Sequence, residues 1–296
     1  MTRPADEQSG RPTAAPAEWL RELTVVLFDL DGTLHDDPRA MDRYVTALQV
    51  SIPDGAGLGL REEVASVIEG HHPAARPGRF VEPVRGLVLD APEWVVESAT
   101  DWQGQPVTVP DGLAGRVQHG GPLRYLGDRW QIITAVAARR GADKSVLAAA
   151  FSLTRRFVND PDNDLLRLDC VDGLLEQLAV GRRLLLATNT PEELARPLVD
   201  RLDLRHPFAL VRFDARKPAG CAELISEAHR RWGAAPRDVL VVGDNLWNDV
   251  LPPAEQGCRT VHIDPLGTDP GARWSTARYV DLAAFAAVVE EHADAR

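Results

Sequence analysis

The chain has 296 residues, 44% hydrophobic and 26% charged, a composition unlike that of disordered or fibrous proteins and sufficient for one large domain or a core with an inserted second domain. Its net charge of −11 argues against a surface devoted to nucleic acid or anionic lipid, and no apolar run reaches the ~18 residues of a membrane span. The three cysteines, Cys170, Cys221 and Cys258, have no zinc-type spacing and read as buried thiols of a reducing cytoplasm.

In chain order, residues 1–18 read as a disordered tail without the apolar stretch of a signal peptide. The first predicted strand, residues 24–28, runs directly into FDLDGTLHDD, residues 28–37. Asp29 and Asp31 then lie at the strand end, and Gly32 lets the chain turn away. Asp36 and Asp37 read as a solvated helix start. About 145 residues separate this strand from the next, far more than a crossover needs, which predicts an inserted domain. Its beginning (39–50, 60–69) and its end (128–140, 143–158) carry helical patterning. Residues 71–127 are rich in Pro and Gly and resist assignment; within them His71 and His72 read as a surface loop. Trp94, Trp102 and Trp130 read as packing residues.

Four further apolar runs, at 183–188, 209–213, 238–242 and 259–263, read as buried strands of a parallel sheet. Helical segments separate them: 191–202, with Thr190 and Glu193 as a capping box, and 219–232, stopped by Gly233. Residues 281–290 read as a closing helix capped by Asp281. This alternation predicts an α/β fold, a Rossmann-like doubly wound parallel sheet with a largely α-helical domain inserted after the first strand.

Ligands of such sheets sit at the carboxyl ends of the strands. The residues there are Asp29, Asp31 and Thr33; Thr188 and Asn189; Lys217; and Gly243, Asp244, Asn245 and Asp249. So many carboxylates repel one another unless a hard divalent cation lies among them, and Mg²⁺ is the natural candidate. Lys217 and Thr188 then suit the remaining oxygens of a bound phosphoryl group.

The set DLDGT (29–33), LLLATN (184–189), Lys217 before Pro218 and GDNLWND (243–249) resembles the four motifs of the haloacid dehalogenase-like (HAD) phosphohydrolase superfamily, in the family's order. The resemblance implies Asp29 as the nucleophile that becomes an aspartyl phosphate, and Asp31 as general acid and then base. It implies Mg²⁺ on Asp29, Asp31 (through its main-chain carbonyl), Asp244 and Asp249, with phosphate held by Gly32, Thr33, Thr188, Asn189 and Lys217. Family dehalogenases lack an acid at the position of Asp31, so its presence points to phosphate esters. The expected core is 19–35 and 165–296, and 36–164 sits where the family places a C1 cap. The expected enzyme is a cytoplasmic, Mg²⁺-dependent phosphatase of a small phosphorylated metabolite, monomeric or homodimeric, with no nucleic-acid or membrane partner. A phosphomutase using the same intermediate and a non-catalytic binding protein of the same fold are the alternatives.

Overall fold

A computed structural model describes residues 17–269 and 272–294. Most of the expected tail lies outside the described residues. Its last two positions open a 3₁₀ helix, Ala17–Glu22, that buries Trp19 and Leu20 against the core.

Strand β1 (Val25–Phe28) is buried along its whole length. Helix α1 (Pro38–Ser51) follows, started by Asp37, whose carboxylate accepts from the Arg39 N–H at 2.9 Å and pairs with the Arg39 guanidinium. Asp37 is thus a buried cap, and only its neighbour Asp36 keeps the expected exposure in part, pairing with Arg129 at 3.1 Å. Helix α2 (Leu60–Ile68) comes next. The stretch that resists assignment holds strands β2 (Phe80–Glu82), β3 (Leu87–Asp90), β4 (Val95–Val96), β5 (Ser98–Asp101), β6 (Pro106–Val107), β7 (Gly115–Arg116) and β8 (Arg124–Tyr125). They form an antiparallel sheet ordered β6-β5-β3-β2-β8 and a separate β4-β7 ribbon. Helices α3 (Arg129–Arg139) and α4 (Lys144–Asn159) complete the segment, and α4 packs along α1.

After α5 (Val171–Ala179) come β9 (Arg183–Ala187), α6 (Glu192–Arg201), β10 (Phe208–Arg212), α7 (Cys221–Trp232) and β11 (Val239–Gly243). A π-helical turn (Leu246–Val250), α8 (Leu251–Glu255), β12 (Arg259–Ile263), β13 (Ala277–Tyr279) and α9 (Leu282–Asp294) close the chain. Helix α7 stops at Gly233, which adopts φ 71°, and Asp281 caps α9 through the Ala284 N–H, both as expected. The core sheet is wholly parallel, ordered β10-β9-β1-β11-β12-β13, with strand order reversing beside β1. Its strands are Val- and Leu-rich because helices cover both faces, leaving separate apolar layers under α5, α6 and α9 on one side and under α7 on the other. Among the described residues no helix is long and apolar enough to cross a membrane.

Two histidines and three tryptophans divide differently from the sequence expectation. His71 is exposed, but His72 is only partly exposed, its side chain enclosed and its Nδ1 accepting from the main-chain N–H groups of Ala74 and Ala75 at 3.2 and 2.9 Å. Trp94 and Trp102 are packing residues, whereas Trp130 is only partly buried and borders the cleft described next.

Candidate active site

The parallel strands deliver their carboxyl ends to one cleft of about 240 Å³. Asp29 and Asp31 follow β1, Thr188 and Asn189 follow β9, Lys217 lies beyond β10, and Asp244, Asn245 and Asp249 follow β11; all line the cleft. Gly32 and Thr33 do not line it. Gly32 turns the chain at φ +89°, and a Cβ there would lie 2.0 Å from an Asp244 oxygen, so the close approach of the two loops requires glycine. Gly243 likewise gives way to the Asp249 side chain, which a Cβ would meet at 2.4 Å.

Lys217 is the cationic centre of the acid half. Its Nζ lies 2.5 Å from Asp29 Oδ1 and 2.6 Å from Asp249 Oδ1. Burial works against its charge, but the Asp249 and Asp29 carboxylates outweigh it and hold the ammonium well above the ordinary lysine range. Asn189 fixes the lysine's main chain: its Oδ1 accepts from the Lys217 N–H at 2.7 Å and its Nδ2 donates to the Lys217 carbonyl at 2.9 Å. Both polar atoms of the Asn189 side chain are therefore engaged away from any ligand.

One ammonium does not balance this site. Burial, with the Asp249 and Asp31 charges, pushes Asp29 up to about 7 even against Lys217. Burial together with Asp128, Asp29 and Asp249 raises Asp244 well above its ordinary value. Asp29, Asp244 and Asp249 each offer a carboxylate oxygen, and the three atoms lie within 4.8 Å of one another. Three hard oxygen donors in an excess of negative charge fit a divalent cation such as Mg²⁺. The Asp31 side chain is not in this group.

Asp31 instead faces the insert. Its Oδ2 accepts from Thr190 Oγ1 at 2.9 Å and Thr188 Oγ1 at 3.3 Å, and pairs with the Arg155 guanidinium. Burial pushes its carboxyl up, but the charge and hydrogen bond of Arg155, with lesser help from His35 and Thr190, hold it below the ordinary carboxylate range. Arg155 stands on α4, is 1% exposed, and also donates to Thr190 Oγ1 at 2.9 Å. Neither Arg155 nor Thr190 is singled out as a site residue by the sequence reading. The Thr190 hydroxyl, expected to cap α6, is engaged here instead, and α6 starts at Pro191 without a side-chain cap. Asp128 is a further acid of the cleft, capping α3 through the Gln131 N–H and bonded by Asn245; burial raises it to about 6.

A family model for haloacid dehalogenase-like hydrolases matches residues 23–257, which include the five acids of the cleft. The chain belongs to the HAD-like hydrolase family. Among curated relatives it is similar to phosphoglycolate phosphatase 1 of Pseudomonas aeruginosa, with 27% identity over 240 residues, 79% of this chain and 67% of the relative. Among solved structures it resembles the magnesium-bound HAD-hydrolase YfnB of Bacillus subtilis, with a TM-score of 0.50 and 15% identity over 90% of this chain and 99% of that one. A 2-haloacid dehalogenase of Pseudomonas syringae matches with a TM-score of 0.44 and 17% identity, over 91% and 99% of the two chains. The likeness to YfnB is one of fold, a parallel sheet flanked by helices.

Proposed function

We propose that this HAD hydrolase is a Mg²⁺-dependent phosphatase that hydrolyses a small phosphomonoester through an aspartyl phosphate on Asp29. The observation that carries the reading is the division of labour between two acids in one cleft. Asp29 lies on Lys217 beside Asp244 and Asp249, whereas Asp31, two residues on, points the other way to Arg155 and two threonines. Similarity to a phosphoglycolate phosphatase supports phosphoryl rather than halide chemistry.

An Asp29 oxygen attacks phosphorus, the ester P–O bond breaks, and the departing alkoxide takes a proton from Asp31. Asp31 then removes a proton from water, whose oxygen attacks the aspartyl phosphate and releases inorganic phosphate, restoring Asp29. Arg155 favours the Asp31 carboxylate, so a proton that Asp31 carries is held weakly and passes readily to the departing alkoxide. Lys217 and Thr188 hold the phosphoryl oxygens, and Asn189 positions Lys217. Asp29, Asp244 and Asp249, with the Asp31 main-chain carbonyl, would hold a magnesium ion, which when bound would supply positive charge to the transferring group. Residues 36–164 act as the cap over a core of 19–35 and 165–296, carrying Trp130 and Arg155 to the site.

The test is phosphate release from a panel of esters with Mg²⁺ and with EDTA. Chelation is expected to abolish release, and Asp29→Asn to lower kcat by at least about 10³-fold. Turnover that survives either change refutes the mechanism.

A further inference from the structure

The cleft has two unlike halves. The acid half holds Asp29, Asp31, Asp128, Asp244 and Asp249, and the opposite wall comes from insert helices: Tyr44 of α1, Trp130, Gln131 and Thr134 of α3, and Phe151 of α4. Three of these wall residues are mutually packed rings, with Tyr44–Trp130, Trp130–Phe151 and Tyr44–Phe151 centroids 5.3, 5.4 and 6.3 Å apart. The polar groups among them are neutral. Tyr44 and Thr134 hydroxyls lie 3.3 Å apart, and the partly exposed Gln131 side-chain amide is bonded to no described residue.

Cations are as informative as the acids. Among the described residues lining the cleft, Lys217 carries the sole fixed positive charge, and Asp29 and Asp249 hold it. Arg155 lies behind the wall, its guanidinium carbon 5.2 and 5.8 Å from the Phe151 and Trp130 ring centroids and its charge matched by Asp31. An anionic group that took Arg155 would leave Asp31 unpaired among four other carboxylates, a costly exchange in a buried site.

We propose that the alcohol released from the phosphate ester is uncharged and hydroxylated, with an apolar face that lies on the Tyr44–Trp130–Phe151 wall and a hydroxyl bonded to the Gln131 amide. The inference rests on the phosphatase reading and gives it a substrate class. Carbon-bound hydrogens of a polyol or sugar meet the ring faces, while the amide supplies one donor and one acceptor to a hydroxyl. A carboxylate or second phosphate on the leaving group would find no cation on this wall, since Lys217 is held by Asp29 and Asp249 and a bound Mg²⁺ would be taken up by Asp29, Asp244 and Asp249; an unpaired charge there costs several kcal/mol. This separates the chain from the substrate in its relative's name, phosphoglycolate, which carries a carboxylate. The cleft, at about 240 Å³, also lies below the roughly 300–1,000 Å³ of sites for drug-sized ligands, which limits the alcohol to a small one.

Glycerol 3-phosphate and 3-phosphoglycerate form a suitable pair, alike in size and differing in a hydroxymethyl group against a carboxylate. With p-nitrophenyl phosphate as a reporter of phosphatase chemistry, kcat/KM for the neutral ester is expected to exceed that for the carboxylate ester by more than about tenfold. Gln131→Arg, which supplies the missing cation, is expected to reduce that ratio at least about fivefold. Thr134→Lys, one turn further along α3, makes the same test if the first variant does not fold. Equal or better hydrolysis of the carboxylate ester, with p-nitrophenyl phosphate turned over, overturns the substrate class and leaves the phosphatase reading standing. Failure to hydrolyse any of the three esters overturns both.

Discussion

Asp31, on the loop after β1, and Arg155, on α4, pair from segments far apart in the chain. A motif read along the chain places Asp31 two residues after Asp29; nothing local announces an arginine well over a hundred residues away. A signal was nonetheless present. Arg155 falls four residues after Phe151 and three before Val158, on the apolar stripe of a helix, where a charged residue is an exception that requires a buried partner. The pair yields a double-mutant prediction. Arg155→Met alone leaves the partly buried Asp31 carboxylate without its cation and is expected to lower stability by about 3 kcal/mol. Asp31→Asn with Arg155→Met is expected to lose less than the sum of the two single changes, by at least about 1 kcal/mol. Urea unfolding of the four proteins measures the coupling, and simple additivity would show that the contact contributes nothing.

Elements were legible in proportion to their length and periodicity. Strands β1, β9 and β11 hold runs of four apolar residues, each followed by side chains that line the cleft, and they were readable; β13, only three residues long, was not. The insert's strands are two to four residues long, too short for an alternation of faces to register. Their attachment to α2 runs through Glu63, which accepts from Trp102 Nε1 at 2.5 Å and pairs with Arg140. Burial pushes the Glu63 carboxyl up, but hydrogen bonds from His72, Trp102 and Arg140, with the Arg140 charge, hold it at about 2. A carboxyl depressed in the folded state contributes stability that is present above its unfolded value near 4.5 and is lost as pH falls toward about 2. Discounted for partial solvent access, that contribution is about 1–3 kcal/mol. Glu63→Gln is therefore expected to lower stability at pH 7 and to flatten the acid limb between pH 5 and 2 relative to the parent, read by urea unfolding at each pH. An unchanged acid limb would remove Glu63 from the account.

At the scale of the molecule, the sequence shows that a long segment interrupts the sheet, yet not how firmly it is attached, because attachment depends on contacts between distant residues. One apolar cluster joins Phe80, Leu89, Trp94 and Tyr125 of the insert to Leu246 and Val250 of the turn that carries Asp249 and to Leu251 of α8. Trp247 of that turn packs against Trp94 and Phe80 with centroids 5.0 and 5.2 Å apart, and Trp274 lies 5.5 Å from Trp94. Arg116–Glu255, at 2.9 Å, and Arg273–Glu93 add ion pairs across the same junction. The sheet half of the insert is thus continuous with the loop that supplies Asp244 and Asp249, and disturbing one is expected to disturb the other. Trp94 and Trp102 separate this effect from general destabilisation. Both are nearly buried, at 5% and 7% exposure, but Trp102 packs within the insert's own helical core. Truncation of either to alanine is expected to cost about 3–5 kcal/mol. At a temperature where both variants remain folded, Trp94→Ala is expected to lower kcat for ester hydrolysis about tenfold while Trp102→Ala changes it less than about threefold, since only the former loosens the turn that carries Asp249. Equal effects on kcat would mean that the junction carries stability alone.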